Sequence, residues 1–95
     1  MQNRPISEKI AHLRQLIDID AKAVISECDR LLDKNSFDEQ VHHLRANAAM
    51  KLGIWDEAIR SCLKAEAVNP NSPARETRML IESILSFRNT DMINP

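Results

Sequence analysis

The sequence holds one glycine, no tyrosine and only three aromatic residues in 95 positions. Folds rich in loops turn their chain with glycine and proline, so this scarcity argues against them and leaves helix as the main element. No apolar run approaches the ~20 residues that cross a bilayer. The opening MQNRPISEKI lacks the apolar centre of a secretory leader, and the expected location is cytoplasmic, with no membrane contact. Two cysteines in such a chain, Cys28 and Cys62, are expected as free thiols. The excess of basic residues that neutralises nucleic-acid phosphates is also missing. Thirteen basic and 14 acidic residues are interspersed, for a net charge of −1.

The usual chemistry motifs are missing as well. The sequence has no glycine-rich phosphate loop and no serine or cysteine nucleophile with a base at readable spacing. His12, His42 and His43 do not combine with the cysteines at zinc-ligand spacing, and adjacent His42 and His43 diverge by ~100° on a helix. The expectation is a chain without catalytic residues, metal or cofactor.

What is present is helical periodicity, in a chain whose length suits a single domain. Ile6, Ile10, Leu13 and Ile17 form one stripe after Pro5. Asp18-Ile19-Asp20 is a connector short enough for a helical hairpin, and Asp20 suits the N-cap of a second helix with the stripe Ala21, Val24, Cys28 and Leu31. Ser36 and Glu39 have the spacing of a capping box for a third helix, with the stripe Val41, Leu44, Ala48 and Leu52 and a stop at Gly53. A fourth helix carries Trp55, Ala58, Cys62 and Ala65 and ends before Pro70. Ser72-Pro73 opens a fifth, expected to cover 73–88, with 89–95 as a tail without period. Five helices with short connections give an all-α fold.

The chain also matches itself at an offset of 34 residues: Ile25 with Ile59, Cys28 with Cys62, Asn35 with Asn69, and the second stripe with the fourth. A 34-residue helix–turn–helix period resembles the tetratricopeptide repeat. Residues 39–72 are similar to one such repeat, with Gly53, Trp55, Ala58, Ala65 and Pro70 at the family's spacing. Residues 5–38 resemble a degenerate copy, and 73–88 the first helix of a third. The departures are His42, Arg45-Ala46 and Ala49 where the family's first helix usually has an aromatic, a Leu-Gly-like pair and a tyrosine, and Cys62 at a usual aromatic. The resemblance implies a right-handed α-α superhelix of about two hairpins plus a C-terminal capping helix, acting as a non-catalytic protein-binding module.

The resemblance also implies where a protein or peptide partner binds, namely on a concave face lined by the first helix of each repeat. In this sequence that face is expected to include Lys9, Leu13, Gln40, His43, Asn47, Lys51, Thr77, Arg78 and Ile81. One branch of the family clamps terminal carboxylates with two lysines, two asparagines and an arginine. Lys9 and Arg78 match that clamp, while Leu13, Leu44 and Ala74 do not, so tight binding of acidic C-terminal peptides is not expected. The fifth helix is apolar over most of its circumference. Either Met92 and Ile93 of the tail fold back on it, or another chain covers it, and Leu80, Ile84, Leu85 and Phe87 are the candidates for self-association into a homodimer.

Overall fold

The computed structural model describes residues 5–93, and the side chains of residues 5–88. Within them the chain is all-α, with α1 (Ile6–Leu16), α2 (Ala21–Lys34), α3 (Glu39–Lys51), α4 (Trp55–Val68) and α5 (Ala74–Ile93) and no strand.

Local chemistry sets the helix ends. The Asp20 carboxylate accepts from the Ala23 N–H at 3.1 Å and caps α2. Helices α2 and α4 terminate alike. Asn35 and Asn69 leave the helix in extended conformation, and their side-chain oxygens accept from the N–H groups of Phe37 and Asn71, both at 3.1 Å. These are Asx turns, an asparagine device for leaving a helix. Both ends of α2 and α4 lie 34 residues apart, Ala21 to Trp55 and Lys34 to Val68.

At the end of α3, Gly53 adopts φ +72°. Its N–H donates to the Met50 carbonyl at 3.0 Å while the Ile54 N–H reaches back to Ala49 at 2.9 Å. That pair of bonds is a Schellman stop, which needs a residue tolerant of left-handed backbone. Ser72 caps α5, its hydroxyl accepting from the Ala74 N–H at 3.1 Å and donating to the Glu39 carboxylate of α3.

Two boundaries differ from the sequence expectation. The cap of α3 is Asp38, which accepts from the N–H groups of Gln40 and Val41 at 3.1 and 3.2 Å. Ser36 lies in the Asn35 turn instead, and Glu39 is engaged by Ser72. Helix α5 continues past residue 88 to Ile93, so residues 89–93 extend it rather than folding back, and the rest of the tail lies outside the described residues. Nothing in SILSFRNTDMI can stop a helix, since it has neither glycine nor proline.

The core has two halves joined through α3. Ile10, Leu13, Val24, Cys28, Leu31, Val41 and Leu44 fill the first, between α1, α2 and α3. Ala46, Ala49, Ala58, Cys62, Ala65, Ala74 and Ile81 fill the second, between α3, α4 and α5. The expected stripe of α2 is buried throughout. That of α3 is buried at Val41, Leu44 and Ala48, but Leu52 is the C-cap and exposed. Helix α3 also buries His42, Ala46 and Ala49, because neighbours cover it on two sides and no single stripe describes it. Trp55, expected in the α4 stripe, is half-buried, with the Arg88 guanidinium 5.4 Å above its ring. The principal extents are 60 × 29 × 18 Å, the last matching two helix layers at ~8–10 Å spacing.

Asp38→Ala should lower stability by about 1 kcal/mol and Ser36→Ala by close to none, as read by urea unfolding. Gly53→Ala should cost about 1–2 kcal/mol through its backbone alone, because no atom lies within 4 Å of an added Cβ.

Candidate functional site

The residues expected on the concave face are placed on α1, α3 and α5, and most are already occupied. Leu13 and Ile81 are not groove residues at all. Each points into a half of the core and is almost fully buried. Their helices rotate the 34-residue-spaced positions inward because those are the apolar ones. His43 of α3 and Thr77 of α5, 34 residues apart, are joined by a hydrogen bond of 3.0 Å between Nε2 and Oγ1. Burial pushes the His43 pKa below its ordinary value, against the opposing pull of Glu39 and Glu76.

The cations of this face are paired within the chain. The Lys51 Nζ lies 3.2 Å from Asp18, both side chains being exposed, an arrangement worth at most about 1 kcal/mol. Arg78 donates through two nitrogens to both Glu66 oxygens, at 2.7 and 2.9 Å, and through a third to Glu82 at 3.1 Å. That fork holds the Glu66 carboxyl below the usual carboxylate range. Only Lys9, Gln40 and Asn47 of the expected set make no side-chain hydrogen bond among the described residues.

The apolar residues of α5 divide into two faces rather than covering the helix. Ile81 is buried, and Leu85, expected on a self-association surface, is half-buried against the second core half. Leu80, Ile84 and Phe87, at steps of four and three, form the outward face. Leu80 is 52% and Phe87 68% exposed, Ile84 is half-buried, and Met79 beside them is 52% exposed. Ile84 and Phe87 line a shallow depression with Ser83 and Arg88.

The structure adds a depression that the sequence did not announce, of about 390 Å³, on the side where α2 and α4 flank α3. Arg45 of α3 crosses it, donating to Asp29 of α2 at 2.7 Å and to Glu57 and Ser61 of α4 at 3.2 and 2.9 Å. Buried His42 donates from Nε2 to the Ser36 carbonyl at 2.7 Å, and its Nδ1 is buried without a partner among the described residues. Separations of 16 and 12 residues carry no sequence periodicity that would have predicted the Arg45 contacts.

The remaining nucleophiles are inert by environment. Burial pushes the Cys28 thiol up to about 12 and Cys62 up to about 11, and both are free. Among the described residues no group of three His, Cys, Asp or Glu side chains is placed to hold a metal ion, and no helix is long and apolar enough to cross a membrane. No family model, curated protein or solved structure matches the chain.

Because His43 resists protonation in the folded chain, its contribution to stability is full above the ordinary value of 6.5 and declines as pH falls below it. Urea unfolding between pH 7.5 and 5.5 should show that decline, and His43→Gln should flatten it. Both thiols should stay unreactive toward a disulfide reagent at pH 8 in the native chain and react rapidly in urea.

Proposed function

We propose that the chain is a tetratricopeptide-like module that binds another protein, without catalysis, through the outward face of α5. The helix ranges and Asx turns shared by α2 and α4 support the right-handed repeat architecture that this implies. The observation that carries the reading is the exposure of Leu80 and Phe87 beside Ile84 on a terminal helix. Terminal elements of helical arrays keep a polar outer face for solubility, so a large apolar stripe there signals a contact. The concave face is the weaker candidate, since its His43, Lys51, Thr77 and Arg78 already have partners within the chain.

The test compares proteins retained by the immobilised chain, identified by mass spectrometry, with those retained by two variants. Leu80→Glu with Phe87→Glu should lose the specific partner, weakening it at least tenfold. Burying two such side chains contributes on the order of 3 kcal/mol, more than enough for that factor. Lys9→Ala with Gln40→Ala and Asn47→Ala should retain it. The reverse pattern would move the site to the concave face. Sedimentation equilibrium covers the alternative of self-association: a dimer that dissociates in the Leu80→Glu variant would make α5 a homodimer contact.

A further inference from the structure

Resting on that reading, we infer that the outward face of α5 is an empty slot for one α-helix from another polypeptide, presenting small residues at steps of four and three and a basic residue at its edge. The register supplies the argument. The residues 34 positions before Met79, Leu80, Ser83 and Ile84 are Arg45, Ala46, Ala49 and Met50 of α3. Ala46 and Ala49 are fully buried in one cluster with Ala58, Cys62 and Ala65 of α4, and Met50 packs against it. Arg45 reaches Glu57 and Ser61 of α4. On α3, therefore, this face is the one that α4 covers. On α5 the same positions carry larger apolar residues, and no element among the described residues covers them.

The chain does not turn back locally to fill the slot. The position equivalent to Gly53, where α3 stops with φ +72°, is Phe87, and α5 runs through it to Ile93. The side-chain sizes then define the occupant. Helices pack at ~8–10 Å when ridges of one enter grooves of the other. Leu80, Ile84 and Phe87 supply tall ridges, so an approach that close requires a low opposing face. Helix α4 shows the pattern in Ala58, Cys62 and Ala65. Charge defines the edge. Glu76, one turn before Met79 and Leu80, is exposed and makes no hydrogen bond or ion pair, whereas Arg78 is matched by Glu66 and Glu82 and Arg88 lies over Trp55.

The test supplies such a helix at high local concentration. The full chain is extended by a flexible linker of about 15 residues and a copy of residues 55–68, which raises the effective concentration to the millimolar range. Amide exchange is compared with a version carrying the linker alone. Exchange at residues 79–87 should slow at least tenfold, and Leu80→Glu in α5 should abolish the slowing. Changing the copy's counterpart of Glu57, the residue that meets this edge on α3, to Lys should strengthen docking several-fold, and Glu76→Gln should remove that gain. Equal protection from a copy with leucine in place of Ala58 and Ala65 would overturn the small-faced helix while leaving α5 as the docking surface. No protection from any copy, with the chain dimerising through Leu80, would overturn the inference in favour of a second copy. Partner capture unaffected by Leu80→Glu would remove the underlying reading itself.

Discussion

Close packing of α3 against α4 through alanine and cysteine side chains is the constraint from which the other positions follow. Ala46 and Ala49 meet Ala58, Cys62 and Ala65 with no surface left to water. Side chains this short let two helices approach closely, and any larger residue would push them apart. The opposite side of α3 buries Val41, Leu44 and Ala48 against α1 and α2. Full burial of a side chain such as Leu44 is worth about 1.5–3 kcal/mol, so the second seam is as necessary as the first. A chain of this length buries only a little over ~60% of its unfolded surface, and routing both core halves through one helix uses that surface efficiently.

Polar contacts then lock the angles that packing leaves loose. Helix α3 reaches α2 through Arg45 and Asp29, α4 through Arg45, Glu57 and Ser61, and α5 through Glu39 with Ser72 and His43 with Thr77. Each bond adds on the order of 1 kcal/mol net, less than the apolar seams, but each fixes a direction that dispersion does not. The same bonds quiet the surface, because a side chain held by its own fold has less to offer a ligand. The concave face is therefore a rigid frame with few unsatisfied donors, and the affinity available there is small.

The amount of this that could be read from the sequence follows the range of the interactions. The stripe Ala21, Val24, Cys28 and Leu31 was legible because one face of one helix is buried, and Gly53 because a single backbone angle demanded it. The 34-residue offset anticipated the matching ends of α2 and α4. The cap of α3 was misread because Ser36 and Asp38 both suit the role, and only the Asn35 turn decides between them. On the concave face, Leu13 and Ile81 were placed by register alone, which does not fix the rotation of a helix about its axis. Arg45 and His42 were invisible, since three helices must be docked before their surroundings exist.

Where binding energy can reside then becomes a question of what the fold leaves uncompensated. An exposed ion pair contributes about 0–1 kcal/mol and weakens with salt, whereas apolar surface contributes about 25 cal/mol for each Å² removed from water. The cations Arg45 and Arg78 are already neutralised by carboxylates of the chain itself, so displacing those carboxylates would cost a ligand much of what it gained. Leu80, Ile84 and Phe87 have no such internal competitor. Ile81 and Ala74 anchor the opposite side of α5 in the core, which holds the exposed stripe at fixed orientation before any partner arrives. A surface held in this way loses little entropy on association, and for that reason the outward face of α5, rather than the polar groove, is where this fold can hold another chain.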